Sequence, residues 1–218
     1  MAERSIDRRV MDGDAPRVTH LRPRVLALLA LVALITLGCM GGRPSSPIPV
    51  PPLPAARSVF FAPIGDYPLD EAEALVRHYH EKFGMTIGIL PPLALPREAY
   101  DARRRQVIAE RVLDAVSAGH RQAADPAAVV IALVDRDMYI ADSTWKYAYG
   151  LRIEGHLAVV STARLNDGRG DKMDRLQKMV TKNIGILYFG LPQSDDPRSV
   201  LYRNVLGPTD LDRMSEDF

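Results

Sequence analysis

The sequence predicts an α/β (α+β) domain: a mixed, twisted sheet with packed helices. Three observations lead there. Ala127–Val134 (AAVVIALV) is an unbroken apolar run of β-branched character, the pattern of a central strand buried on both faces. Two segments, LDEAEALVRHYHEKF at 69–83 and the stretch after Asp171, carry apolar residues at helical spacing. The whole chain orders its elements β-α-β-α-β-β-β-α, which needs helices to cover the faces of a sheet. With 218 residues, 47% hydrophobic and 25% charged, the chain fits one globular domain plus extra segments.

In order along the domain, Ser58–Gly65 (SVFFAPIG) reads as a first strand ended by Pro63 and Gly65. Leu69–Phe83 reads as a helix, acidic in its first turn and stopped at Gly84. Met85–Leu90 is a short strand halted by Pro91 and Pro92, and Arg103–Ala118 is a second helix ending at Gly119. After the central strand come two more, near Lys146–Arg152 and Leu157–Ser161. The last long helix has Asp171 as N-cap and an apolar stripe of Met173, Leu176, Val180, Ile184 and Leu187. Gly190 is placed for a left-handed stop, with Pro192 beyond it. Asn183 lies on that stripe, so it is either paired in the core or facing a cleft. Asp195–Arg198 reads as a loop turn and Thr209–Asp212 as a capped final turn. There are no internal repeats.

The extra segments lie at the start. Residues 1–24 carry six Arg against four acids, and the apolar run VLALLALVALITLG from Val25 leads to Cys39. A basic region followed by a short apolar one is the pattern of an export signal. A spanning helix needs roughly 20 apolar residues, so the run is short for a permanent anchor. A start at Met11 rather than Met1 gives the basic region a more ordinary length. Cys39 is the only cysteine, which excludes a disulfide framework and a Cys-based metal site. Thr36-Leu37-Gly38-Cys39 resembles a bacterial lipobox, with Thr where Leu is usual. The resemblance implies lipidation at Cys39, a membrane partner and a place in the bacterial cell envelope; a cleaved signal peptide or an N-terminal anchor are the alternatives. Residues 1–39 are thus a targeting segment. Residues 40–57, with six prolines between Pro44 and Pro54, are a linker. In polyproline II form, at about 3.1 Å per residue, such a linker holds a domain roughly 40 Å from a surface. The domain is 58–218.

Residues 1–38 hold six of the 28 basic and four of the 27 acidic residues, leaving 22 and 23 in the remainder. That balance gives no electrostatic case for nucleic acid. Arg103-Arg104-Arg105 is a solvated face of the second helix. His78 and His80 are two apart on a helix and do not share a face, while His120 and His156 stand alone. Asp135 and Asp137 flank Arg136 at the end of the central strand; they can bind a metal or share a proton, and a tight turn explains them as well. Trp145, Tyr147 and Tyr149 alternate as on a strand, for core packing or for a groove. No nucleophile elbow, Walker loop or Cys–His pairing is present.

Several segments, taken together, resemble the archaemetzincins, a branch of the metzincin zinc proteases. They are AYDARRRQVIAERVLDAV (99–116), VVIALVDRDMYI (129–140), WKYAYG (145–150), GHLAVVSTARL (155–165) and a helix ending in Gly190-Leu191-Pro192 before a Ser199–Tyr202 turn. They follow the family's order across about 58–202, and imply its zincin-like fold. The metzincin active-site helix reads H-E-x-x-H-x-x-G-x-x-H: its His residues bind zinc and its Glu is the general base. In the register that matches Ile184-Gly185-Ile186, Lys182 stands at the first His, Asn183 at the Glu, Ile186 at the second His and Gln193 at the third. One residue back, the substitutes are Thr181, Lys182 and Gly185. Leu201 stands at the turn Met, and the cysteines of the family's second zinc site are absent.

The expectation is therefore a scaffold with no cofactor and no catalytic set. An asparagine amide accepts no proton near neutral pH. Lys182 either holds a carboxylate in the metal's place or is a solvent-facing helix lysine, the usual state for that residue. By resemblance, Leu157–Thr162 borders the cleft and pairs with an extended peptide, so the candidate binding residues are Leu157, Val159, Ser161, Tyr149, Lys182 and Asn183. The expected function is an exported, lipid-anchored, archaemetzincin-like protein that binds a peptide or protein in the former cleft. An active zinc-dependent protease with non-standard ligands, with zinc as cofactor, is one alternative, and a structural envelope lipoprotein the other.

Overall fold

The computed structural model describes residues 57–153 and 155–218; the expected targeting segment, Cys39 and all but the last residue of the linker lie outside them. A five-stranded sheet runs in the order β2-β1-β5-β8-β7, where β1 is Ser58–Ile64, β2 Ile87–Ile89, β5 Ala128–Val134, β7 Gly150–Ile153 and β8 Leu157–Ser161. All neighbours are parallel except β7, which returns antiparallel along β8 through the short turn at Gly155 (φ +70°). The sheet is mixed and its helices pack on both faces, as the sequence predicts.

β5 decides the layering. All seven of its residues are buried. Val129, Ile131 and Leu133 join one core with Leu75 and Tyr79 of α1 (Leu69–Phe83) and with Leu176, Val180 and Ile184 of α3 (Lys172–Leu187). Val130, Ala132 and Val134 join a second core with Val112, Leu113 and Val116 of α2 (Ala109–Gly119). Alternation along one strand thus feeds two cores. Burying a Val, Leu or Ile is worth about 1.5–3 kcal/mol, so this strand anchors the domain.

Several predicted boundaries move. The first strand runs through Pro63 to Ile64. Phe61 and Pro63 both turn their carbonyls to the chain beyond β2, accepting from Leu90 (2.8 Å) and Leu93 (3.0 Å). The missing N–H of Pro63 therefore falls where β2 has already ended, and costs no ladder bond. The helix expected from Arg103 starts six residues later. In its place Tyr100–Asp101 (β3) and Gln106–Ile108 (β4) form a hairpin, and β4 also pairs parallel with Met138–Tyr139 (β6). The Asp101 carboxylate accepts from the amides of Arg103 (2.9 Å) and Arg104 (3.1 Å), a side-chain turn that outcompetes the helical propensity of the arginines. The three arginines are exposed, as expected, but on the hairpin tip. The strand near Lys146–Arg152 is shorter too, beginning at Gly150.

α3 departs most from an amphipathic surface helix. Asp171 caps it as predicted, accepting from the Met173 amide at 2.8 Å, and Gly190 takes the left-handed turn (φ +68°). Yet Arg175, Lys178, Thr181, Lys182 and Asn183 are buried along with the apolar stripe. α1, the sheet, residues 199–206 and the short α4 (Pro208–Arg213) surround it, so its polar residues need partners inside the protein. α4 confirms the capped final turn: Asp210 accepts from the amides of Leu206 (2.9 Å) and Gly207 (3.0 Å).

Candidate functional site

Each buried polar residue of α3 has its own answer to the cost of leaving water. Thr181 shares a hydrogen bond of 2.9 Å with the Tyr79 hydroxyl. Arg175, with no exposed surface, donates to Asp212 and Asp167 at 2.7 Å and to the Leu165 carbonyl, so its guanidinium is held firmly charged by those two carboxylates. Lys178 is bonded to Asp174 one turn back. Asn183 donates to the Met179 carbonyl at 2.7 Å and accepts from Arg152 of β7 at 3.2 Å. It is therefore both paired in the core and attached to a cleft residue.

Lys182 has no such carboxylate among the described residues. It is only 4% exposed, which corrects the solvent-facing reading, and its ammonium donates to the Tyr202 carbonyl. Burial, and then the charge of Arg152, push its pKa down from 10.5 to about 8. Burial alone depresses Arg152. Two cations thus lie close together beneath the edge of the sheet, and among the described residues no acid pairs with either.

They line a pocket of about 400 Å³. Its walls come from Trp145–Gly150, from Met179 and Lys182 of α3, from Arg152, and from Arg203–Leu206. The aromatic side is braced from behind. Tyr147 donates to the Leu206 carbonyl at 2.8 Å and meets Tyr149 edge to face at 5.6 Å. The Arg164 guanidinium lies 4.2 Å over the Tyr147 ring and forks onto Asp137 with two bonds of 2.6 Å. Arg164 and Gln106 together hold the Asp137 carboxyl below its usual range despite partial burial. Tyr149 is buried, its pKa pushed up to about 12 by desolvation and then by Tyr147. Trp145, in contrast, is 60% exposed at the pocket wall, so the three aromatics do not form one flat face.

The structure rearranges the rest of the candidate set. Leu157, Val159 and Ser161 are buried and β8 is bonded on both edges, by β5 and β7, so no peptide can add to that strand. Leu157 and Val159 also face the α2 core, on the side of the sheet away from α3. The edge strand on this side of the sheet is β7, which among the described residues pairs only with β8. The Ser161 amide donates to the Tyr149 carbonyl at 2.9 Å; by alternation the backbone groups of Leu151 and Ile153 face β8, and those of Gly150 and Arg152 face outward. Ile186 is half-buried and has no donor atom, and Gln193 is exposed beyond the helix end. Asp135 accepts from Thr162 at 2.6 Å while Asp137 turns to Arg164, so the two acids share no site. His156 is bonded to the Ala123 carbonyl, and His78, His80 and His120 do not converge.

The residues do not fit zinc. Among the described residues no three His, Cys, Asp or Glu side chains form a group that could hold a metal ion. At the expected position stand an ammonium, an amide already engaged on both sides and an aliphatic side chain, with a guanidinium adjacent. A divalent cation needs neutral or anionic donors. Sequence reasoning did not single out Arg152 or residues 203–206. The spacing Gly150-x-Arg152 on a strand carried a signal for Arg152, because alternate residues share a face; nothing local marks 203–206.

No protein-family model and no curated protein sequence matches the chain. Solved structures do. Archaemetzincin (AmzA) from Archaeoglobus fulgidus, complexed with malonate, is 21% identical with a TM-score of 0.61, over 74% of this chain and 94% of that one. Archaemetzincin from Methanopyrus kandleri is 26% identical with a TM-score of 0.59, over 78% and 92%. A zinc-dependent peptidase from Methanocorpusculum labreanum (strain Z) is 19% identical with a TM-score of 0.60, over 74% and 95%.

Proposed function

We propose that this chain, whose fold is archaemetzincin-like, is an exported protein tethered to the bacterial cell envelope by a lipid on Cys39. On this reading it has given up zinc peptidase chemistry and holds a peptide or protein segment in the cleft between β7 and α3. One observation carries the proposal. Where a zinc peptidase of this fold needs neutral or anionic ligands, Lys182 and Arg152 present two cations with no ion-pair partner among the described residues, and Asn183 an amide bonded to Met179 and Arg152. The free edge of β7 supports the binding half: an extended chain can pair with the outward backbone groups of Gly150 and Arg152 while its side chains enter the pocket. That moves the pairing strand from Leu157–Thr162, expected from the sequence, to Gly150–Ile153.

The test is the metal content of the purified full chain by mass spectrometry after dialysis against trace zinc, with a thermal melt in chelator beside it. The expected result is no stoichiometric metal and a cooperative melt that chelator leaves unchanged. Near-stoichiometric zinc, or a melt that chelator collapses, overturns the reading and reopens peptidase assays. Intact-mass analysis of the mature N-terminus tests the tether: diacylglyceryl mass on Cys39 supports it, and an unmodified Cys39 refutes it.

A further inference from the structure

The pocket beneath β7 has one property the peptide-binding reading does not by itself require. Among the described residues its charged lining is Lys146, Arg152, Lys182 and Arg203, with no acid. Lys146 and Arg203 are exposed at the rim, and Arg203 is answered by Asp195 at 2.7 Å. Lys182 and Arg152 lie deeper. An ammonium has three N–H donors, and Lys182 spends one on the Tyr202 carbonyl. A guanidinium has five in a rigid fork, and Arg152 spends one on Asn183. Donors left over on a buried ammonium and a neighbouring half-buried guanidinium are costly without an acceptor, and an oxyanion satisfies both at once.

We propose that this pocket captures the C-terminal carboxylate of an extended peptide, with Lys182 and Arg152 binding the carboxylate and the edge of β7 pairing with the residues before it. The inference rests on the peptide-cleft reading above and adds the chemical class of its ligand. The adjoining backbone decides between sources of negative charge. Gly150 and Arg152 turn their amide and carbonyl groups outward beside the pocket, and a peptide terminus brings a main chain to pair with them, which a free small anion does not. The apolar wall of Tyr147, Tyr149 and Met179 suits the side chain of the last residue.

Trp145, the chain's single tryptophan, stands on the pocket wall and reports occupancy by its emission. The full chain is titrated with N-acetyl-tetraalanine as free acid, with the same peptide as C-terminal amide, and with succinate. The free acid is expected to bind at least about tenfold more tightly than the amide, the ratio that one charge-assisted hydrogen bond supplies. Lys182→Met and Arg152→Gln should each bring the two within about twofold; the second keeps an amide able to reach Asn183, so one of the pair remains informative if the other does not fold. Acid and amide binding equally to the unaltered chain overturns the carboxylate and leaves the peptide cleft standing. Succinate binding that depends on Lys182, with neither peptide bound, overturns the peptide and leaves an anion site. Absence of all three overturns both.

Discussion

Lys182→Met is the substitution that tests the site most directly without any ligand. In the native state the ammonium shares its pocket with Arg152 of β7, Lys146, Tyr147 and Tyr149 of the preceding segment, and Arg203 at the rim, with no acid among the described lining residues. Its pKa is lowered from 10.5 to about 8. At 1.36 kcal/mol per unit, native burial of that charge costs about 3 kcal/mol at neutral pH. The sign follows from proton counting. Below pH 8 the lysine is charged in both states and the cost is fully present. Between pH 8 and 10.5 the native state has lost the proton and the unfolded chain has kept it, so stability rises with pH across that window. Methionine removes the charge and keeps most of the volume, but forfeits the bond to the Tyr202 carbonyl, worth about 1.5–3 kcal/mol for a charged donor. The variant should therefore be no less stable than the parent at pH 6.5, and more stable by at most about 1.5 kcal/mol. Urea denaturation of both at pH 6.5 and 9.5 isolates the lysine, because every other titration cancels in the difference. From the lower to the higher pH that difference should move by about 2 kcal/mol in favour of the parent. A difference constant to within about 0.5 kcal/mol would refute the reasoning, since it would mean that the ammonium is solvated.

Three further outcomes are expected. Gly185→Ala places a Cβ 2.6 Å from the Phe218 ring and 2.8 Å from a Leu201 methyl, so it should cost about 1–3 kcal/mol by thermal melt, and Phe218→Leu in the same chain should recover part of that loss. Arg175→Met removes the bracket between the 165–167 loop and α4 and leaves two carboxylates without their cation; a loss of roughly 3 kcal/mol, or about 6–12 °C in Tm, is expected. The Asp137 carboxyl, held below its ordinary value of 3.8, contributes stability that is present above that pH and lost as pH falls through the lower native value. Acid unfolding followed by circular dichroism should therefore be shallower below pH 4 in Asp137→Asn than in the parent chain, and identical slopes would remove Asp137 from the bracing of the aromatic wall.

How far the residues alone reveal this protein depends on how local the cause of each feature is. The central strand, the helix at 69–83 and the Asp171 cap were all legible because their signals lie within a few residues: an unbroken apolar run, a 3.6-residue period, a carboxylate before an amide. The hairpin at 100–108 was not, because a helical composition hid the Asp101 turn and the parallel partner at 138–139 is distant in sequence. The apolar stripe of α3 showed that a helix forms, but not that the sheet, α1, α4 and the 199–206 segment enclose it. Enclosure turned Lys182 from an ordinary surface lysine into a buried cation. It also set Arg152 against it from a strand some thirty residues earlier. The family resemblance in the sequence drew attention to α3; which strand beside it has an open edge was decided by sheet order, since β8 is bonded on both sides and β7 on one. Sequence determines patterns that each residue's neighbours in the chain can enforce. The pairing of edges, the burial of charge and the closing of a pocket depend on groups that meet only once the chain has folded.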